Sequence, residues 1–531
     1  MGLGLTNTIS EQEFKAILAH EFGHFSQRSM KVGSYVYNVN QVIFNMLFDN
    51  ESFDNMIQKW ANISGYFSIF VFIGVKIING IQWILGKMYG FVNIHYMALS
   101  REMEFHADEV AANIAGYLPL KESLLRLDLA SHSLNSVLNF YESKIPDNLK
   151  SKNIYTEQLF VMNFLAKDSN ISFKNNLPLV SELDLSKYNK SKLNIKDQWA
   201  SHPSTEERIA ALEKLNIFKE NNMTTPANLL FSYSDKIEER ITTQLFKNVT
   251  YTGEIAHLEV EKFKNEYTEI FNKNSFAKIY NGYYDNKNPI PFSTENINIS
   301  DEHHTLEALF SKEKLDLVYD YIALENDKSI LTSISNKEFQ VKTFDYEGRK
   351  YNSKDAKILV SKIENDFQTT KKVIAENDIN IYTFFYRQAA KKGNENILKN
   401  KYHSYFKEDK EFDKRNELYN KLVKSTNFVS MVTSFEEIKT NLITVSKIEV
   451  ELKIEIKKIL ENDSLKEEIN KLTREHMEKY LSKNWSYFKN DEYDNENLQI
   501  LFAAANDFNY LNARAYFLSK LHLLNYQIEQ L

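Results

Sequence analysis

The chain has 531 residues with 65 Lys+Arg against 72 Asp+Glu, a formal charge of −7 that offers no general electrostatic attraction for nucleic acid. Only 14 Gly and 7 Pro exclude collagen-like, linker-like and turn-rich all-β architectures, and 43% hydrophobic content over this length predicts a mainly α protein of at least two domains. The absence of cysteine excludes disulfide scaffolds, thiolate nucleophiles, cysteine-held iron–sulfur clusters and Cys-type zinc fingers, so any metal site must draw on Asp, Glu and the 12 His.

The first predicted helix opens at Ser10-Glu11-Gln12-Glu13, which has the form of a capping box, and continues through Phe14, Ile17, Leu18 and Phe25 at helical spacing. It carries His20-Glu21-Phe22-Gly23-His24. Residues four apart on a helix lie about 40° from each other around the axis and about 6 Å along it, so both imidazoles can hold one ion. Zinc takes nitrogen ligands at about 2.0 to 2.1 Å, with three protein ligands at catalytic sites, and Glu21 would project beside the remaining position and could accept a proton there.

Residues 63–85 follow, an apolar stretch about as long as the roughly 20 residues needed to cross a bilayer. Lys76 falls inside it, with Asn79 and Gln82 at i+3 and i+6, a polar stripe that burdens a lone spanning helix. A long buried helix is the competing reading. Next comes Ser100-Arg101-Glu102-Met103-Glu104-Phe105-His106-Ala107-Asp108, again helical, in which Glu102, Glu104, His106 and Asp108 are all candidate ligands by periodicity. Glu104 and Asp108 share a face, so one can ligate while the other receives the second N–H of a ligand histidine. Further on, His202-Pro203-Ser204-Thr205-Glu206-Glu207-Arg208-Ile209 reads locally as a helix entry.

These three motifs, in this order, resemble the zinc metallopeptidases that include the bacterial membrane protease HtpX and the CAAX prenyl endopeptidases. The resemblance covers roughly residues 5 to 215. It implies one Zn2+ held by His20, His24 and Glu104, Glu21 as general base, Asp108 as outer support, and His202 and Arg208 reaching the active site to bind substrate or the oxyanion. It also tilts residues 63–85 towards the membrane, with the active site on the cytoplasmic side; a soluble cytoplasmic protein is the alternative. In this family membrane segments usually precede the zinc helix, so the chain is expected to be an N-terminally shortened version.

Residues 113 to 215 continue as helix, interrupted by a polar loop at 170–194 expected near the cleft. Residues 216–226 read as a linker, giving a metallopeptidase domain at 1–215 and a helical domain of unknown role at 216–531. The second domain is expected to be amphipathic helix with a turn-rich stretch at 283–291, a small β-hairpin around Glu347-Gly348, and a charged helical run at 447–483 that could be a short coiled coil. His303-His304 reads as surface. The sequence thus predicts a zinc-dependent endopeptidase acting on polypeptides, in membrane-protein quality control by family resemblance, with no nucleic-acid partner. Its rival is a non-catalytic zinc-binding interaction protein that works through its helical C-terminal half.

Overall fold

The structure, a computed structural model, describes residues 2–26, 29–48, 65–195, 197, 200–220, 223–295, 304–339 and 341–531. Two residues of the apolar stretch, 63 and 64, and three of the 301–304 cluster lie outside the described residues. The architecture is mainly α with small strands, and contacts divide it into two units, Met1–Lys273 with Ile330–Lys357 and Asn274–Ser329 with Ile358–Leu531.

In the first unit, α1 (Glu11–Ser26) begins with the expected capping box: Ser10 N–H donates to Glu13 Oε2 (2.7 Å) and Glu13 N–H to Ser10 Oγ (3.3 Å). The Glu13 carboxylate also meets Arg126 Nη1 at 2.9 Å, a buried pair that anchors the helix start. Then come α2 (Ser29–Phe48) and α3 (Gly65–Ala115). The apolar stretch and the Glu104 motif are therefore parts of one helix of 51 residues, about 76 Å long at 1.5 Å per residue. Where α2 and α3 pack, Asn40 Nδ2 donates to Asn93 Oδ1 at 2.5 Å.

Along that pair many apolar side chains are exposed, although Ile43 is buried. Tyr35, Tyr37, Val42 and Phe44 on α2, and Phe72, Ile77, Ile81, Trp83 and Phe91 on α3, are all exposed. Nevertheless, among the described residues no helix is long and apolar enough to cross a membrane. Lys76, Asn79 and Gln82 interrupt the apolar run of α3.

Towards its C-terminal end α3 crosses α1 closely. A Cβ at Gly23 would lie 3.1 Å from the Ala107 Cα and 3.3 Å from the Val110 Cβ, closer than such atoms normally approach, so any larger residue would need the facing helix to give by a few tenths of an ångström. Ala16, Ala19, Ala111, Ala112 and Ala115 form the surrounding core with Leu120, Leu124 and Leu212. Small residues let the two helix backbones approach, and that approach positions the site.

The unit is completed by α4 (Tyr117–Lys144), β1 (Leu149–Ser151), α5 (Ile154–Asp168), β2 (Leu193–Asn194), α6 (Thr205–Leu215), α7 (Ser234–Leu245), β3 (Ala256–Leu258) and α8 (Val260–Lys273). β1 and β3 pair in parallel, Lys150 opposite His257. Two expectations change here. The 170–194 loop contains a tight hairpin turning at Asn175 and Asn176, both with φ above +50°, a conformation asparagine tolerates. The end of the 216–226 segment, read as a linker, is hydrogen-bonded to the start of α1: Glu11 N–H donates to Thr225 O (2.7 Å) and Ala227 N–H to Ile9 O (3.0 Å). The unpaired backbone of residues 9–11 provides a strand edge that the returning chain satisfies. The hairpin around Glu347-Gly348 forms as β4 (Thr343–Tyr346) and β5 (Arg349–Asn352), and β4 also pairs with β2.

The second unit is built on long helices, including Ala356–Lys391, Glu395–Thr426, Phe435–Leu460, Lys471–Leu481 and Asn495–Glu529. Its core holds many buried tyrosines, among them Tyr280, Tyr283, Tyr402 and Tyr405. The turn-rich stretch at 283–291 is pinned there by Lys287, whose Nζ lies 2.6 Å from both Asp378 oxygens. The charged run at 447–483 is not one helix: it breaks at residues 461–470, where the Asn462 side chain accepts from Ser464 N–H and Leu465 is buried. That local cap ends the repeat a coiled coil would need.

Candidate metal centre

The two histidines of α1 face α3 across the Gly23 crossing. His20 Nε2 and His24 Nε2 are 3.2 Å apart, His20 Nε2 is 3.4 Å from Glu104 Oε2, and His24 Nε2 is 3.5 Å from Glu104 Oε1. One ligand atom from each of the three residues lies within 4.8 Å of the others. Tetrahedral zinc with bonds of about 2.05 Å would place two nitrogens about 3.3 Å apart, so the donor set suits such an ion in spacing and in chemistry.

Behind the histidines is a second layer. His20 Nδ1 lies 2.8 Å from Asp108 Oδ1, an arrangement that puts the proton on Nδ1 and directs the Nε2 lone pair at the centre. Arg208, on the first turn of α6, grips the same carboxylate twice, Nε to Oδ2 at 2.9 Å and Nη2 to Oδ1 at 2.6 Å. The start of α6 is held by its own capping box, Ser204 with Glu207. Arg208 was expected at the substrate or oxyanion; its guanidinium is instead engaged behind His20, its Nη2 3.5 Å from His20 Nδ1.

Electrostatics follow from this packing. Burial alone would lower the His20 pKa, but the Asp108 and Glu104 carboxylates outweigh it and push it up to about 9. Burial likewise works against the Asp108 and Glu104 anions. Arg208 and His20 hold Asp108 below the usual carboxylate range, and His20 with His202 and His24 does the same for Glu104. His24 is lowered, chiefly by burial. The three candidate donors thus sit inside a framework of fixed charge.

Glu21 is solvent-exposed on α1 and acts electrostatically on His24 and Arg208. His202 reaches the centre from the loop before α6: its Nδ1 donates to Glu104 Oε1 at 3.0 Å, with a side chain 67% exposed. One residue in this arrangement had no role assigned from sequence. Arg101 Nη1 donates to Ala200 O at 2.7 Å, tying α3 to the loop that carries His202. Its place one helical turn before Glu104 is the signal that could have found it.

A sequence profile of Peptidase family M48 matches residues 2–216. Among curated proteins, the chain is similar to a protease HtpX homolog from Persephonella marina, 30% identical over 141 residues, covering 25% of this chain and 43% of that protein. It is also similar to the protease HtpX of Vibrio vulnificus, 27% identical over 138 residues, covering 24% and 43%. A third relative, a protease HtpX homolog from Sulfurovum sp., is 25% identical over 219 residues, covering 40% and 59%. The chain therefore spans about half the length of the curated relatives it matches. No solved structure matches.

Proposed function

Because residues 2–216 belong to peptidase family M48 in its HtpX-like form, we propose that this chain is a zinc-dependent endopeptidase hydrolysing polypeptides, with its catalytic region at residues 1–215. The observation that carries the reading is the convergence of His20, His24 and Glu104 on one point, with Glu21 next to His20 in sequence and near enough to His24 to act on it electrostatically. A zinc ion held by those three residues would polarise a substrate carbonyl and make a neighbouring water more acidic. Glu21 takes the proton from the attacking water and passes it to the leaving amine. Asp108, held by Arg208, keeps the His20 ring in one orientation and tautomer. His202 is exposed on the open side and can donate to a substrate oxygen in addition to Glu104. Arg208 serves as a positioning residue rather than as an oxyanion donor.

The exposed apolar faces of α2 and α3 support a second element of the proposal. They would rest against membrane lipid, bringing the centre to membrane-protein substrates, with the catalytic side in the cytoplasm. Aromatic and aliphatic side chains exposed in such number on one helix pair are costly in water.

The test is cleavage of unfolded casein by the zinc-loaded chain, with and without a chelator, beside the Glu21→Gln variant. Chelator-sensitive cleavage that drops by about 10² to 10⁴-fold in Glu21→Gln, with zinc content unchanged, is the expected result. Equal cleavage by the variant removes Glu21 as base. No cleavage by either protein favours the rival, a zinc-binding interaction protein.

A further inference from the structure

Away from the metal centre, the first unit holds an open groove of about 530 Å³ between α7, β1 and the 249–255 loop. Its lining includes Lys150, Arg240 and Lys247, and no Asp or Glu. None of these three cations has an ion-pair partner among the described residues, although neighbouring surface charges do pair: Lys152 meets Glu239 at 3.3 Å. Phe246 forms an apolar floor, buried to 9% exposure. The Tyr251 hydroxyl is buried in the same lining without a hydrogen-bond partner among the described residues. Burial raises its pKa, so it remains a proton donor.

Unpaired like charges gathered in one concavity repel one another and raise the local potential for anions. A buried donor with no acceptor costs about 1 to 3 kcal/mol, a cost that an acceptor entering the groove would relieve. Four unused donor groups over an aromatic floor therefore call for an anionic ligand with apolar parts. The groove is open to solvent and its three cations are spread over β1, α7 and the turn after α7, which suits several carboxylates carried on one chain better than a single enclosed phosphate.

We infer that this groove is a docking site for an acidic segment of a polypeptide, whose carboxylates meet Lys150, Arg240 and Lys247 while an adjacent apolar side chain lies on Phe246. As a docking site separate from the metal ligands, it would select polypeptides by acidic segments distant from the cleaved bond. The selection rests on the peptidase reading; the binding does not.

The experiment uses the full chain carrying Glu21→Gln, so that binding is read without cleavage. The probe is a fluorescent peptide of alternating Glu and Leu, followed by anisotropy, with a Gln/Leu peptide as control. The expected result is binding of the acidic peptide only, weakened about tenfold or more by Lys150→Gln/Arg240→Gln/Lys247→Gln and progressively by salt. Tyr251→Phe gives a smaller loss and serves as the conservative variant should the triple substitution unfold. Equal binding of both peptides, or unchanged affinity in the folded variants, overturns the proposal. So does full competition by inorganic phosphate at millimolar concentration, which would make the groove a simple anion site. A chain that binds but never cleaves casein preserves the groove and refutes the peptidase reading alone.

Discussion

Replacing Asp108 with Asn isolates what the layer behind the histidines contributes. Three donors converge on this carboxylate: Nε and Nη2 of Arg208, and Nδ1 of His20, the last two sharing Oδ1. Asparagine offers one oxygen, so in either amide orientation its NH2 group faces at least one buried donor. The side chains are 2% exposed for Asp108 and 15% for Arg208, so water cannot compensate fully for the lost anion. Removing one partner of such a buried pair costs about 3 to 5 kcal/mol, and releasing the tautomer of a ligand histidine lowers metal affinity about 10 to 100-fold. Chemical denaturation gives the first quantity, and zinc titration against a chromophoric chelator gives the second. The double variant Asp108→Leu/Arg208→Met should separate them: stability returns in part because no buried charge is left unpaired, whereas zinc affinity stays low because His20 still lacks its acceptor. Zinc affinity within twofold of the parent in Asp108→Asn would refute the orienting role.

Arg101→Met should leave zinc content intact and lower casein cleavage about tenfold, the size expected for one charge-assisted hydrogen bond positioning the His202 loop. The same substitution should add little in a His202→Ala background, and an additive loss there would show that Arg101 acts elsewhere. Glu157 predicts a pH effect. It is fully buried, accepting from Tyr141 Oη at 2.5 Å and Ser151 Oγ at 2.8 Å, and burial pushes its pKa up to about 7 against about 4.3 when unfolded. The folded chain thus holds this proton more tightly; stability from the group is full below about pH 4 and is lost as pH rises through 7, amounting to about 3 kcal/mol by pH 8. Glu157→Gln should remove that loss in urea unfolding at pH 5 and pH 8, and a pH profile parallel to the parent's would refute it.

What could be read from the chain depended on how local the determining physics is. The Ser10–Glu13 box and the His20/His24 pairing are set within a few residues by helical periodicity, so both were legible. The hairpin around Glu347-Gly348 was legible for the same reason, its turn residues having φ of +50° and +74°. Arg208 was not legible in the same sense: its motif marks it, but whether it faces substrate or Asp108 depends on how α6 lies against α3. Residues 216–226 looked like a linker because satisfaction of the 9–11 backbone comes from more than 200 residues away. The helix break at 461–470 arises from one side-chain cap that charge periodicity does not register. The basic groove was invisible because Lys150 comes from β1, far along the chain from Arg240 on α7 and Lys247 just after it.

The Gly23–Ala107 crossing makes the metal centre a reporter of folding. His20 and His24 belong to one helix and Glu104 to another some 80 residues away, so the three donors exist as a set only once the two helices have docked to backbone contact. A side chain at position 23 would require Ala107 and Val110 to give by a few tenths of an ångström, loading the crossing on which the donor set depends while leaving each helix intact. Tight metal capture by this chain would then be a property of a completed helix crossing, and metal uptake during refolding would date the moment at which the two helices meet.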